Sequence, residues 1–368
     1  VTKVTPALVD RAVSVKVIAT ATIGTDHIDL AYIGEANWRR ENAVTVLAAP
    51  GSNAESVADY VWYALGRLTR DAAAPLSEMS LGIVGHGNCG SRVARRAEGF
   101  GMRVLRCDPP LAERDARFVS DAPAEALAAD FVTLHVPLTH ASESRYPTHY
   151  MIGAEQLAQM KRSAYLLNSS RGAVVDSDAL ISALTRGTIA GAVLDVYEGE
   201  PHPPPELISL PVLSTPHIAG YAIEAKRRGA IVIYEGICRA LGIEPRDTGA
   251  LLMRGFRPPS AVRVEFGRRA SSAATADAAV RSLMARIHDI GATSDELKAT
   301  LSSDRPGELF DAMRRNYERD HGRHELALYR VGFDDSVGSG LRAEIGRRAA
   351  GFGIQVADRD PHYVLSAA

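Results

Sequence analysis

The run LGIVGHGNCG at 81–90 constrains this chain more than any other stretch. LGIVGHG (81–87) reads as a buried strand, and Gly85-His86-Gly87-Asn88-Cys89-Gly90 fits G-x-G-x-x-G ahead of a helical segment, SRVARRAEGFG (91–101). A second strand, MRVLRCD (102–108), then ends in Asp108. Each glycine has its own reason at that spacing. Gly85 permits a tight turn, Gly87 lets backbone approach a pyrophosphate, and Gly90 lets helix and strand pack closely. The pyrophosphate sits at the helix N-terminus, where N–H groups and the positive end of the dipole stabilise it. Asp108 is placed to accept hydrogen bonds from the adenosine ribose and to repel a 2′-phosphate, so the spacing predicts NAD rather than NADP. Arg103 and Arg106 lie nearby in sequence and oppose that preference. His86 is expected to be a bystander of the turn.

The strand–helix alternation continues downstream. AEALAAD (124–130), GAEQLAQMKRS (153–163) and SDALISALTRG (177–187), the last closed by Gly187, read as helices. FVTLHVPL (131–138), AYLLNSS (164–170), AGAVLDV (190–196) and PVLSTP (211–216) read as strands. This order predicts an α/β fold with a Rossmann-type doubly wound parallel sheet. Upstream, VKVIATAT (15–22) and VTVLAAPG (44–51) read as strands, and ESVADYVWYALGRLTR (55–70) as a helix. GTDHIDLAYIGE (24–35) opens with an Asp suited to capping a helix. AIEAKRRGAIVIYEGICRALG (222–242) is a long helix expected to pack back on this first unit. RPPS near 257 marks a linker, and the stretch beyond it is long enough for a domain of its own. The expected division is 1–76 with the helix 222–245, then 77–221, then 258–368.

Three segments carry the chemistry: SSRGAVVD (169–176), LDVYEGEP (194–201) and STPHIAGY (214–221). Each sets one side chain, Arg171, Glu200 or His217, in a loop just after an apolar run. Together they suit oxidation of a 2-hydroxy acid. Arg171 grips the carboxylate through a two-point fork that a lysine lacks. His217 takes the hydroxyl proton, since imidazole titrates near pH 6.5, and Glu200 fixes its ring and favours its protonated form. Taken singly, each has a plainer reading. Arg171 suits a surface turn, His217 a packed loop, and either Glu198 or Glu200 a solvated position beside Gly199. His135 ends a strand beside the cofactor crevice and is read as structural.

Composition narrows the field. A net charge of −2 gives no reason to expect nucleic acid or an anionic membrane as partner. No apolar run reaches the roughly 18 residues that span a bilayer, and the N-terminus is too polar for a signal peptide. Cys89, Cys107 and Cys238 are odd in number and widely spaced, as in a reducing cytoplasm. No histidine or cysteine spacing suggests a metal.

The motifs GxGxxG with its distal Asp, N-x-x-RG-x-VVD, LDV-x-x-x-EP and PHIAG resemble those of the D-2-hydroxyacid dehydrogenase superfamily. Within it, VTKV at the start, TAT-x-GTDH (20–27), APG-x-N (49–53), CDPP (107–110), EGEP (198–201) and HIAGY (217–221) resemble the erythronate-4-phosphate dehydrogenase family. The resemblance implies a flavodoxin-like substrate lobe and, from LFDAMRRNYERDHGRHELALY (309–329), a C-terminal α+β dimerisation domain giving a homodimer. It implies that Arg171, Glu200 and His217 are catalytic. Asp108, Asp195, Gly220 and the backbone around Asn88, Cys89 and Val136 contact NAD, while Thr22 and Tyr221 contact substrate. Asp195 also reads as a strand-end capping residue. A further βαβ segment is expected ahead of VTKV, with a substrate-contacting Ser, so the first lobe is expected to be shortened here. The implied reaction is NAD-dependent oxidation of 4-phospho-D-erythronate in pyridoxal 5′-phosphate biosynthesis. The alternatives are a dehydrogenase of 3-phosphoglycerate or glycerate, and a non-catalytic NAD-sensing protein on the same fold.

Overall fold

Packing divides the chain into two units, Val1–Ala54 with Ala222–Arg257 and Glu55–Tyr221 with Pro258–Ala368. The structure, a computed structural model, describes residues 2–38, 43–72, 74–249, 262–264, 273–333 and 339–356. The RPPS linker lies outside the described residues.

In the first unit, β1 (Val17–Ala19) and β2 (Thr45–Leu47) pair in parallel, with Val17 opposite Thr45. Both are shorter than their apolar runs. After Ala19 the chain turns on itself: the Thr20 and Thr22 hydroxyls lie 2.7 Å apart, and Thr22 Oγ1 donates to the Gly24 carbonyl. The Leu30–Asn37 helix starts later than the opening Asp of its segment suggests. Its cap is Asp29, whose carboxylate accepts from the Tyr32 N–H at 2.9 Å. Val9, Ile28, Ile33, Ala36 and Val44 form the core. The Ile223–Leu241 helix packs on β1 and β2, as expected.

In the second unit, β3 (Ser80–Val84), β4 (Arg103–Cys107), β5 (Phe131–Leu134), β6 (Tyr165–Asn168), β7 (Gly191–Leu194) and β8 (Leu213–Ser214) form one parallel sheet in the order β4-β3-β5-β6-β7-β8. The chain leaves β3 toward β4 and returns on the other side at β5. That switch point opens a crevice at the carboxyl ends of β3 and β5. β3, β5 and β7 are buried along their whole length, as a sheet covered on both faces requires. The Ser177–Arg186 helix is capped by Asp176 and closed by Gly187 at φ +64°. The Ala154–Gln159 helix stops short of 163, because Met160 is extended and its side chain is drawn into the core.

Two expected boundaries move. The Ala54–Leu68 helix belongs to the second unit, because Tyr60 through Leu65 are buried without interruption. A helix apolar all round needs partners on every side. Trp62 meets Phe100 at 5.6 Å and Phe352 at 4.8 Å between ring centroids. The C-terminal stretch also packs into this unit. It adds β9 (Val262–Val264), β10 (Arg330–Phe333) and β11 (Gln355–Val356) in the order β11-β10-β9. Its Leu283, Met284, Val331, Ile345 and Phe352 share one core with Leu81 and Phe100. Among the described residues no helix is long and apolar enough to cross a membrane.

Candidate active site

The fingerprint loop follows β3 and opens the Asn88–Phe100 helix, with Gly87 at the N-cap and no side chain capping it. Gly85 has φ +92°, and a Cβ there would lie 2.7 Å from the His135 carbonyl and 2.9 Å from Val136 Cγ1. At Gly90 a Cβ would fall 1.9 Å from the Gly85 carbonyl oxygen. At Gly87 it would meet nothing within 4 Å. The outer glycines are therefore needed for packing, while the middle one opens a cradle at the helix end, which fits a pyrophosphate. Val136 lies at the same switch point. Asp108 is half-buried at the end of β4, where its Oδ2 accepts from the His86 N–H at 2.8 Å and its Oδ1 from the Leu111 N–H at 2.9 Å. This ties the acidic residue to the glycine loop, as a ribose acceptor requires. Arg106 is ion-paired with Glu98, so its charge is already answered by a carboxylate. These residues fit NAD.

His86 stacks on Phe118 at 5.0 Å, consistent with a bystander role. Burial pushes the Cys89 thiol up to about 11, with the Arg92 and Arg171 charges opposing it. His135 is held down at about 4 by burial, and its Nε2 lies 3.0 Å from Thr133 Oγ1.

Arg171 follows β6. The loop is folded by Asn168, whose Nδ2 donates to the Arg171 carbonyl and whose Oδ1 accepts from Ser170 N–H and Oγ. Gly172 then packs flat on the next loop: a Cβ there would fall 2.0 Å from the Tyr197 carbonyl carbon. Only glycine lets the Arg171 and Glu200 loops come so close.

The choice between Glu198 and Glu200 is made by their surroundings. Glu198 turns away, accepting from the Tyr150 hydroxyl and from Ser177 Oγ. Glu200 accepts from the Tyr197 N–H at 2.9 Å through Oε1, and its Oε2 lies 2.8 Å from His217 Nδ1. Burial alone would raise the Glu200 pKa. The His217 hydrogen bond and charge, the Tyr197 N–H and Arg314 together hold it below the usual carboxylate range. The His217 and Glu200 side chains are 31% and 17% exposed, so the pair is sheltered yet reachable.

His217 itself sits at φ +57°, a left-handed conformation that costs about 1 kcal/mol or more outside glycine. Asp195 holds the loop in that shape. Its Oδ1 accepts from Thr215 Oγ1 and the Ile218 N–H, both at 2.7 Å, and its Oδ2 from the Ala219 N–H at 2.8 Å. At 1% exposure this carboxylate is engaged inside the loop, as its strand-end reading has it, and offers almost no surface to a cofactor. Burial pushes its pKa up to about 6 against the pull of His217 and those hydrogen bonds. Gly220 and Tyr221 are half-buried at the end of the loop. Thr22 lies in the first unit, exposed in its turn.

Sequence reasoning missed two cations. Arg314, from the Pro306–His321 helix, donates through Nε to the Tyr221 hydroxyl at 3.3 Å and places Nη1 3.6 Å from Glu200 Oε2. Arg323 is buried and donates to the Ala219 carbonyl and Ser56 Oγ, bracing the His217 loop against the Ala54–Leu68 helix. The segment 309–329 was read for its resemblance to a dimerisation domain, and nothing in it signals which polar residue faces the site. Among the described residues, no group of three or more His, Cys, Asp or Glu is placed to hold a metal.

Residues 54–219 match the family described as D-isomer specific 2-hydroxyacid dehydrogenase, NAD binding domain. The solved D-lactate dehydrogenase of Aquifex aeolicus, complexed with NAD and lactic acid, aligns with a TM-score of 0.54 at 29% identity, over 69% of this chain and 83% of that one. Fold and site thus define an NAD-dependent D-2-hydroxyacid dehydrogenase. The chain is 43% identical over 349 residues to an erythronate-4-phosphate dehydrogenase of Salinibacter ruber, covering 90% of this chain and 82% of that one. A protein of the same name from Azotobacter vinelandii is 37% identical over 319 residues, covering 86% and 80%. The chain belongs to the erythronate-4-phosphate dehydrogenase family.

Proposed function

We propose that the protein oxidises the C2 hydroxyl of 4-phospho-D-erythronate to give 2-oxo-3-hydroxy-4-phosphobutanoate, a step of pyridoxal 5′-phosphate biosynthesis. The reading is carried by the 2.8 Å contact between His217 Nδ1 and Glu200 Oε2, and the names of the relatives support the choice of substrate. NAD, when bound, supplies the acceptor for the hydrogen and electron pair that leave C2. With Nδ1 held by Glu200, Nε2 is the nitrogen left to take the hydroxyl proton. The O–H bond breaks toward His217 as C2 becomes a carbonyl carbon. Arg171 holds the carboxylate and draws electron density toward the C2 oxygen. Tyr221 contacts the substrate beyond C2.

Gly85, Gly87 and Gly90 shape the cofactor cradle, Asp108 reads the ribose, and Val136, Gly220 and the backbone of Asn88 and Cys89 line the nucleotide. The first unit takes the role of substrate lobe, with Thr22 as its contact. The C-terminal stretch serves dimer formation, and the enzyme works as a cytoplasmic homodimer.

The test is to follow NADH formation with 4-phospho-D-erythronate, 3-phosphoglycerate and glycerate side by side. The expected outcome is the highest kcat/KM on 4-phosphoerythronate with NAD. A clear preference for 3-phosphoglycerate would overturn the substrate, and turnover of none of the three would favour an NAD-sensing role.

A further inference from the structure

One face of the Pro306–His321 helix meets the catalytic loops along its length. Gly307 lies under the His202 ring, where a Cβ would fall 2.1 Å away. Phe310 meets Tyr197 edge-on with ring centroids 5.8 Å apart. Arg314 reaches Glu200 and Tyr221, and Tyr317 meets the Tyr221 ring at 6.4 Å. Positions 307, 310, 314 and 317 recur at the helical period, so a single stripe supports both the Glu200 loop and the His217 loop. We propose that Arg314 is a positioning residue of the active site, coupling the Glu200–His217 pair to Tyr221, so that the C-terminal segment takes part in catalysis as well as in assembly.

The geometry assigns it two tasks. Its Nη1 sets a fixed cation beside the carboxylate oxygen that holds His217, so the arginine and the imidazolium compete for Glu200. Its Nε orients the Tyr221 hydroxyl. A planar guanidinium performs both at once because its nitrogens diverge in one plane, whereas an ammonium serves only one. The guanidinium side chain is 26% exposed, sheltered enough for its charge to act and close enough to the loops to act there. The charged and titratable groups facing the pair are Asp195 beneath the His217 loop, Tyr197 at the head of the Glu200 loop, Tyr221 after the His217 loop, and Arg314. Arg314 is a cation that acts on Glu200 besides His217.

The sign follows. Removing a cation next to Glu200 leaves the carboxylate freer to stabilise protonated His217. Oxidation needs neutral His217, so activity then begins to rise at a higher pH.

The proposal rests on the dehydrogenase reading, and the experiment separates the two. Parent, Arg314→Gln and Arg314→Lys are compared in kcat and KM for 4-phospho-D-erythronate, in the acid limb of kcat/KM, and in the NMR titration of the His217 ring without substrate. In Arg314→Gln, the acid limb and the His217 midpoint should both move up by about half a unit or more. Arg314→Lys should return both to the parental position. Its KM should stay raised roughly tenfold, the scale of one lost charge-assisted hydrogen bond, because the Tyr221 contact is not rebuilt. If the titration moves but the parent turns over no 4-phosphoerythronate, the substrate reading fails and the role of Arg314 stands. A His217 titration identical in parent and Arg314→Gln overturns the proposal, even if melting temperature changes.

Discussion

In the unit built from 1–54 and 222–257, two three-residue strands lean on a core of Val9, Ile28, Ile33, Ala36 and Val44. In the unit built from 55–221 and 258–368, six parallel strands are covered on both faces, and the loops at their ends are tied by buried hydrogen bonds. The strained His217 sits in the second. That placement has a physical reason. A left-handed non-glycine residue persists only where its surroundings over-determine it, and Asp195 together with Arg323 provides that around the His217 loop. Bond-breaking chemistry tolerates little misplacement, so it belongs on the rigid frame. Among the described residues of the first unit, the core is the smaller cluster of Val9, Ile28, Ile33, Ala36 and Val44.

The contrast can be broken from either side. His217→Ala should have the largest effect, lowering turnover roughly 10²–10⁴-fold while leaving NAD affinity near the parental value by calorimetry. A collapse of NAD affinity instead would make His217 a structural member of the cofactor unit. Asp195→Ala strips the acceptor from Thr215 Oγ1 and the Ile218 and Ala219 N–H groups at once. Leaving those donors buried should cost about 3 kcal/mol, seen in thermal unfolding together with loss of activity. An unchanged melting temperature would mean the loop holds its shape without the carboxylate.

On the other side, Ile33→Ala removes a central residue of the small core, at a cost of about 2 kcal/mol. Substrate KM should rise while NAD binding stays intact, and equal damage to both would show that the units do not fail separately. The smallest effect is expected of Asp108→Ala, which should relax the preference for NAD over NADP by about tenfold. Constant selectivity would count against its ribose role.

The shape of the candidate cofactor loop was legible in the sequence because its determinants are local. Gly85, Gly87 and Gly90 act through backbone geometry within one strand–turn–helix, and the packing at Gly85 and Gly90 is the one the spacing requires. The proposed trio was legible as three loops, with Glu200 taken from the EGEP motif, yet the contacts that set it apart from Glu198 were not. Both flank Gly199, and only Tyr150 and Ser177 on one side and His217 on the other separate them. Asp195 was expected to contact the cofactor, with a strand-end cap as its plainer reading, and the three donors that converge on it come from packing the segment does not display.

By itself, then, the sequence determined the alternating α/β order, the nucleotide fingerprint and the residue types of the reaction, since periodicity, turn chemistry and side-chain chemistry are properties of short segments. Tertiary structure decided that the Ala54–Leu68 helix joins the second unit, that Asp195 braces the His217 loop, and that Arg314 reaches Glu200 and Tyr221. Those outcomes depend on packing between segments far apart in the chain, 93 residues in the case of Arg314 and Tyr221. The direction in which a side chain points is set by such neighbours and not by its own segment.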